Sequence, residues 1–353
     1  MTIYIPPIQF NKVNRKRLFI MVRPFLSEHC WVDDVTLKQY WKLDAHFRYT
    51  PTPEEAQILL LPEPVNNYST KELTAIDTLC GKHHLKGYCY ISGDLGKAFP
   101  HFEHLIYFRN GGFKHQLLNT NYGFPVMLSD HFERIYKTNK VGLRHKAQLP
   151  VIGFCGHATL GLKKRIKEYL IFFRENVRRF VKQPFRKDYE PLFASAFHRA
   201  GLLRSLESSN KVQCNFIYRN DYRAGAITPE AKTKTSLEYY ENIRNTDYVL
   251  CVRGTGNFSV RLYETLMMGR IPIFVNTDCL LPFEDYIDWK SHVVWVDWKD
   301  RHRIAEKVYD FHNGLTEGAF KTLQLKNRQL WKETLSLNSM MHFIKDMTET
   351  KSL

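Results

Sequence analysis

The sequence of 353 residues contains no long apolar run, and no stretch reaches the roughly eighteen apolar residues that a membrane span needs. Its first residues lack a basic segment followed by a hydrophobic one, so no secretory signal is predicted. The seven cysteines form no CxxC pair and no other metal-like spacing, which indicates reduced thiols and argues against zinc. These absences predict a cytoplasmic protein. Peripheral contact with the inner face of a membrane is compatible with that location.

Three common ligand-binding patterns are also missing. Neither GxxxxGK[ST] nor GxGxxG occurs, which excludes the Walker and dinucleotide signatures. No D-x-D occurs, so an aspartate pair at that spacing, which can hold a metal ion, is also missing. We therefore expect no metal and no resident cofactor.

Acidic residues are in the minority: the formal net charge is +15 and the pI is near 9.4. Such an excess favours nucleic acid, an anionic membrane surface, or phosphorylated and acidic saccharides as partners. The basic residues are spread along the chain without a recognised nucleic-acid-binding motif, so a nucleic-acid-binding protein is kept only as the alternative function. The hydrophobic share of 44% and the length are typical of a globular protein with two domains.

The most informative stretch runs from residue 247 to residue 289. Short apolar runs predict strands at Tyr248–Val252 and Arg270–Val275. Between them lie a glycine-containing turn, Arg253–Asn257, and a predicted helix from Val260 to Gly269 that Ser259 would cap. Strand, turn, helix and strand in this order bind phosphates at the carboxyl ends of parallel strands.

Arg261 and Glu264 are three residues apart and therefore share one face of the predicted helix. An arginine at this end of a helix suits a diphosphate, because its guanidinium forms bidentate hydrogen bonds with oxyanions. A glutamate one turn further suits the vicinal hydroxyls of a ribose. The two together predict a nucleoside diphosphate site, and the alternative is a surface ion pair without a ligand.

This stretch resembles the exostosin family of glycosyltransferases, clearly from about residue 151 to 289 and weakly before it. The matching residues are Leu250, Cys251, Arg253, Gly254, Asn257, Ser259, Arg261, Leu262, Tyr263, Glu264, Gly269, Ile271, Pro272, Leu281, Pro282, Phe283, Asp288 and Trp289. The resemblance implies an α/β fold of the GT-B type, with two Rossmann-like domains that face each other across a cleft. It also implies a nucleotide-sugar donor held by the C-terminal domain, and inverting transfer without a metal.

The implied donor site consists of the turn and of the helix start. Its predicted members are Arg253, Gly254, Thr255, Gly256, Asn257, Ser259, Arg261 and Glu264, with His157, Arg219 and Arg223 as further contacts. His157 follows a strand and a glycine turn, and the two arginines lie in a loop similar to an RxxYRAG stretch of bacterial-looking family members. A plain helix cap for His157 and simple solvation for the arginines are the alternatives.

Residues 1–148 are predicted to form the first domain, on the acceptor side. Strand-length apolar runs alternate with helices such as Ser69–Cys80, which indicates a parallel sheet. The predicted strands are Leu18–Val22, Ile58–Leu61, Tyr88–Ile91, Leu105–Phe108 and Pro125–Leu128. Residues 149–335 would form the donor-binding domain and residues 336–353 a C-terminal helix that packs back on the first domain.

Inverting transfer requires a general base that takes the proton of the acceptor hydroxyl. Asp130, His131 and Asp94 lie in polar loops that follow strands of the first domain, and they are the candidates in that order. The competing interpretation is that each aspartate caps a helix that starts just after it.

A helix predicted over residues 162–181 has an apolar stripe and is otherwise strongly basic. The stripe consists of Leu162, Ile166, Leu170, Phe173, Val177 and Val181. Such a helix can lie on an anionic membrane. Its length and stripe also suit a helix that packs on the protein core, and this second interpretation is the one that the sequence favours.

These patterns and the resemblance predict a glycosyltransferase that moves a sugar from a nucleoside diphosphate donor, expected to be a UDP-sugar, and the resemblance alone implies that the transfer proceeds with inversion. The acceptor would be a saccharide or a lipid-linked saccharide, and the product a glycan or polysaccharide. A family member that binds nucleotide sugar without turnover is a further alternative.

Overall fold

The computed structural model of the chain describes residues 1–7, 18–26, 43–220 and 222–350, with the backbone alone at residues 222, 223 and 350. The strands are β1 Thr2–Tyr4, β2 Arg48–Thr50, β3 Ile58–Leu60, β4 Lys86–Ile91, β5 Leu105–Arg109, β6 Asn121–Gly123, β7 Val151–His157, β8 Gln213–Arg219, β9 Tyr248–Cys251, β10 Ile271–Asn276 and β11 Val294–Asp297. The α-helices are α1 Thr70–Lys82, α2 His131–Tyr136, α3 Leu162–Lys182, α4 Ser195–Glu207, α5 Pro229–Arg244, α6 Val260–Met267, α7 Ile304–Asn313, α8 Glu317–Gln329 and α9 Leu337–Thr350.

The strands form two separate sheets. The order in the first is β2-β1-β3-β4-β5-β6, and the order in the second is β11-β10-β9-β7-β8. Every strand pair within these sheets is parallel, and helices connect most neighbouring strands. Two parallel sheets with helices confirm the predicted α/β class of the GT-B type.

Two of the predicted strands are wrong. The chain at Ile20–Leu26 forms a 3-10 helix with Pro24 inside it, where the missing N–H of proline disfavours a strand. The last strand of the first sheet is β6, which ends at Gly123, before Pro125. The predicted run Pro125–Leu128 therefore lies outside the sheet, in the loop that leads to α2.

The C-terminal helix α9 packs against the first sheet. The hydroxyl of Tyr88 on β4 lies 3.3 Å from the carbonyl oxygen of Ile344 and 2.8 Å from the hydroxyl of Thr348. The ring of Phe343 contacts Tyr122 of β6 at a centroid distance of 5.8 Å. A single apolar cluster therefore joins strands of the first sheet, α6 of the second unit and the chain end.

No helix within residues 1–7, 18–26, 43–220 and 222–350 is long and apolar enough to cross a bilayer.

Candidate functional site

The carboxyl ends of β7, β8 and β9 lie side by side because these strands are parallel neighbours. The turn Arg253–Asn257 follows β9 and leads into α6, as predicted. The predicted cap is wrong in one detail: Ser259 occupies the N-cap position of α6, but its side chain makes no capping hydrogen bond. The amides at the start of α6 are therefore not taken up by that hydroxyl.

Arg261 and Glu264 meet at Tyr239 of α5. Arg261 Nε lies 3.3 Å from the Tyr239 hydroxyl, and that hydroxyl donates to Glu264 Oε2 at 2.5 Å. Tyr240 donates to the other carboxylate oxygen of Glu264 at 3.3 Å. Both predicted residues are half-buried, and their side chains are oriented by partners before any ligand arrives.

Arg261 is also fixed against β7 and the end of β9. Its Nη2 donates to the Cys155 carbonyl at 2.9 Å, and its guanidinium carbon lies 4.3 Å from the ring centroid of Phe154. A Cβ built on Gly156 would lie 2.9 Å from Arg261 Nη2, so a side chain at this position would displace the guanidinium. The predicted glycine turn is wrong, because Gly156 and His157 are the last two residues of β7, where the glycine leaves room for the guanidinium.

His157, Arg199, Arg219 and Arg261, which we name the basic cluster, are linked at the ends of β7 and β8. Arg199 of α4 donates to the His157 carbonyl at 2.5 Å, and His157 Nδ1 lies 3.0 Å from the Arg219 carbonyl. Arg219 Nη2 also bonds Glu238 at 2.7 Å. Burial, and then the charge of Arg261, lower the pKa of Arg199 to about 10, so this side chain stays charged near neutral pH.

Several nitrogens in this region are buried without a hydrogen-bond partner within the described residues. They are Nε of Arg199, Nε of Arg219, Nε of Arg253 and Nε2 of His157. A buried polar group without a partner is costly, so an orphaned set at one edge is typical of a site that receives a ligand. The three guanidinium nitrogens of this set are positively charged donors, which suit an anion.

Arg199 is a functional candidate that no sequence pattern marks. It lies within a helix, outside every motif, and only the fold brings it to the end of β7. The side chain of Arg223 lies outside the described residues.

Two residues of the turn serve mainly to hold it. Arg253 is buried between the rings of Phe113 and Phe193, at 5.0 and 4.6 Å, and its Nη2 donates to Thr255 at 2.7 Å. Burial lowers the pKa of Arg253 to about 10. Asn257 is also buried, with its Nδ2 within 2.9 Å of the Gly112 carbonyl in the first domain, so it ties the two domains together.

Gly254 and Gly256 differ in their surroundings. A Cβ on Gly254 would meet nothing within 4 Å, which leaves this part of the turn open. A Cβ on Gly256 would lie 2.3 Å from the Asp94 carbonyl oxygen, so only glycine allows the donor turn to approach the first domain this closely.

The three candidate bases occupy different environments. Asp94 is exposed, adjoins Gly256 across the cleft, and is not followed by a helix, so it does not act as the cap that was the alternative. Asp130 is buried, caps α2 through Glu133 N at 3.1 Å, and forms an ion pair with Arg328. The capping interpretation therefore describes Asp130, whereas Asp94 keeps an accessible carboxylate.

His131 lies between these extremes. Its ring centroid is 5.1 Å from that of Tyr240, which itself bonds Glu264, and its Nδ1 is buried without a partner within the described residues. Burial lowers the pKa of His131 to about 4, so the imidazole is neutral near pH 7.

A cavity of about 500 Å³ opens at the carboxyl ends of the first sheet. Its walls include the stacked rings of Phe19 and Tyr90, at a centroid distance of 5.1 Å, together with Asn110 and Ser92. Ser92 is two residues before Asp94, so the cavity adjoins the loop that contacts the donor turn. Aromatic faces with nearby amides and hydroxyls suit a sugar ring.

Metal ligands do not cluster: the part of the chain that the structure describes contains no group of three or more His, Cys, Asp or Glu residues suited to hold an ion.

Fold and site together define an α/β protein of the GT-B type with buried basic side chains at the carboxyl edge of its second sheet. The Exostosin GT47 domain matches residues 96–308, which is more than half of the chain. The chain therefore belongs to the exostosin family of glycosyltransferases.

Several curated relatives match over short segments. "Probable beta-1,4-xylosyltransferase IRX10L" of Arabidopsis thaliana is 37% identical over 71 residues, 20% of this chain and 17% of that protein. Exostosin-1 of Drosophila melanogaster is 30% identical over 95 residues, 27% of this chain and 12% of that protein. "Probable glucuronosyltransferase 47 A" of Physcomitrium patens is 35% identical over 71 residues, 20% of this chain and 16% of that protein. The matched segment thus spans less than a fifth of each of these relatives.

Among solved structures, that of TarM overlaps 88% of this chain and 56% of its own, with 11% identity and a TM-score of 0.33. A score this low establishes no common detail of the site.

Proposed function

We propose that the protein is an inverting glycosyltransferase that uses a nucleoside diphosphate sugar, with uridine as the expected base, and needs no metal ion. The observation that carries the proposal is a set of buried nitrogens that find no partner among the described residues; they lie at the carboxyl edge of the second sheet, beside Arg261 and Glu264. Membership of the exostosin family and relatives named as xylosyl- and glucuronosyltransferases support the same activity.

The diphosphate would lie on the open turn at Gly254, against Arg261 and the other members of the basic cluster. The arginines of this cluster are charged and already oriented, so they would stabilise the negative charge that develops on the departing diphosphate. Glu264, held by Tyr239 and Tyr240, has the geometry to accept hydrogen bonds from the two ribose hydroxyls. Each role uses a group whose position is fixed before the donor binds.

The acceptor saccharide would enter the cavity lined by Phe19 and Tyr90, with its reactive hydroxyl directed toward Asp94. Asp94 then takes the proton as the hydroxyl oxygen attacks the sugar carbon, and the bond from that carbon to the diphosphate breaks. Its exposure and its contact with the donor turn favour it over Asp130, whose carboxylate is engaged by Arg328. His131 is the second candidate, because it is neutral and lies near Tyr240.

Donor binding is tested by calorimetry and thermal shift with uridine, guanosine and adenosine diphosphates in the presence of EDTA. We expect Arg199→Gln to weaken diphosphate binding by about tenfold or more, because it removes a charged donor from the site. Arg204→Gln is the matched control, since Arg204 is an exposed arginine on the same helix. Equal affinity of the two variants, or binding of oligonucleotides in place of nucleotides, would refute the donor site.

Turnover is tested separately. Asp94→Asn should reduce the rate by about 10²- to 10⁴-fold while the affinity for the diphosphate stays unchanged, since the side chain acts on the acceptor. A normal rate in Asp94→Asn with a lost rate in His131→Gln would transfer the role to His131. Donor binding without turnover by the unmodified protein, against a panel of acceptors, would favour a binding protein over an enzyme.

A further inference from the structure

Helix α3 presents a polar face to the protein. Arg179 is only 3% exposed, and it bonds Glu175 at 2.9 Å and Glu190 at 3.2 Å. Asn176 forms two hydrogen bonds of 2.8 Å with the backbone of Glu190. Phe172 is the one fully buried apolar side chain of this helix. α3 is therefore held to the domain largely by ionic and polar contacts.

The apolar side of the same helix faces solvent. Its members, which we name the apolar stripe, are between 45 and 75% exposed: Leu162, Ile166, Leu170, Phe173, Val177, Phe180 and Val181. At 3.6 residues per turn they fall within an arc of about 100°. Phe185, just beyond the helix end, is also fully exposed. The prediction that this stripe packs on the core is wrong, because the polar side of the helix takes that place.

A basic arc adjoins the apolar stripe. Lys163, Lys167, Arg174, Arg178 and Lys182 are all exposed and project from the sector next to the stripe. Acidic residues of the helix, Glu168 and Glu175, lie on the inward side, where they bond Ala196 N and Arg179. The outward surface thus carries apolar and positive groups and no acidic side chain of the helix.

We propose that α3 docks the protein on an anionic phospholipid bilayer, with the apolar stripe in the interfacial region and the basic arc against lipid phosphates. An exposed apolar surface of this extent marks an interaction site. Among apolar partners, a membrane with negative headgroups complements the basic arc, and the net charge of +15 adds to the attraction. A second copy of the chain would place two basic arcs side by side, which repel each other.

The proposal is tested by co-sedimentation of the full chain with vesicles that contain about 25% phosphatidylglycerol and with vesicles of phosphatidylcholine alone. We expect binding to the anionic vesicles at low salt, and binding weaker by about tenfold or more for neutral vesicles or at high salt. Leu170→Glu should weaken anionic-vesicle binding by about tenfold, since it places a negative charge within the apolar stripe.

Leu325→Glu on α8 is the matched control, because Leu325 is 50% exposed and Leu170 is 51% exposed. Equal vesicle binding by the two variants would overturn the assignment to α3, as would equal binding of the unmodified protein to neutral and anionic vesicles. A concentration-dependent dimer that Leu170→Glu abolishes, without vesicle binding, would overturn it in favour of a second copy. Membrane docking does not require nucleotide binding, so failure here leaves the proposed transferase activity standing, and the reverse holds too.

Discussion

Helices α3 and α6 carry similar amphipathic patterns and use them in opposite ways. α6 buries Leu262, Leu266 and Met267 in the core that joins the two domains. α3 is more than twice as long, yet it buries only Phe172 and Arg179 fully. Apolar periodicity therefore establishes that a helix has an apolar face, but it does not determine whether the protein or an external partner covers that face.

Different kinds of contact hold the two helices in place. α6 depends on apolar contacts, and its last turn is fixed by Arg328, which donates to the Met267 carbonyl at 2.7 Å. α3 depends on an ionic network in which Arg179, Glu175 and Glu190 are all substantially buried. The same type of substitution should therefore act differently on the two helices.

The largest effect is expected for Arg179→Ala. This change removes the ion-pair partner of the buried Glu190 and should reduce the free energy of unfolding by about 3–5 kcal/mol. Arg178→Ala is the control, since Arg178 is exposed and pairs with the same Glu175 at 2.6 Å; its cost should be at most about 1 kcal/mol. Urea denaturation measures both. Equal costs would mean that the inward network does not hold α3.

Leu266→Ala comes next. Leu266 is fully buried, so truncation removes apolar contacts and leaves a cavity that costs about 2–5 kcal/mol. The midpoint of denaturation should fall while its slope stays the same. A loss below about 1 kcal/mol would show that the core around α6 relaxes to fill the space, and the contrast with α3 would weaken.

The sequence predicted what depends on neighbouring residues. Apolar runs identified β4, β5, β9 and β10, and the predicted helix Ser69–Cys80 corresponds to α1, in which Ser69 is the cap and bonds Glu72, three residues away. Contacts between distant segments were out of reach: Asp130 pairs with Arg328, 198 positions along the chain. The sequence therefore could not show that the carboxylate of Asp130 is engaged by an arginine and is not open to an acceptor.

The candidate site follows the same rule. The turn Arg253–Asn257, Arg261 and Glu264 lie in one continuous stretch, so their grouping was predictable. Arg199 reaches the same edge only because α4 packs beside β7, and no local signal marks it. The orientation of α3 was also not predictable, because Arg179, Asp188 and Glu190 become an inward network only when the chain turns back after the helix.

A smaller effect is expected from pH, through His131 at the end of α6. His131 donates its backbone N–H to the Met267 sulfur at the end of α6, and burial lowers the pKa of its side chain to about 4. In the unfolded chain the imidazole takes up a proton below its ordinary pKa of about 6.5, whereas the folded chain resists protonation until about pH 4. The free energy of unfolding should therefore fall as the pH decreases from 6.5 to 4.

His131→Gln should remove about 1 kcal/mol of that decrease, because the side chain is only half-buried and solvent reduces the full effect. His302→Gln, at an exposed histidine, provides the control. Denaturation curves at several pH values measure the slope, and an unchanged slope in His131→Gln would contradict the effect of burial on this imidazole.

The smallest effect on stability is expected for Leu170→Ala, and it is the one that most directly tests the comparison. Leu170 and Leu266 occupy equivalent apolar faces of their helices, but Leu170 is half exposed, so its truncation should change the free energy of unfolding by no more than about 0.5 kcal/mol. Alanine is also the best helix former, which offsets part of the lost contact. A cost near that of Leu266→Ala would mean that the apolar stripe is covered by the protein itself. A negligible cost together with weakened vesicle binding would mean that the apolar stripe serves a partner, because it would contribute to the free energy of binding and not to the free energy of unfolding.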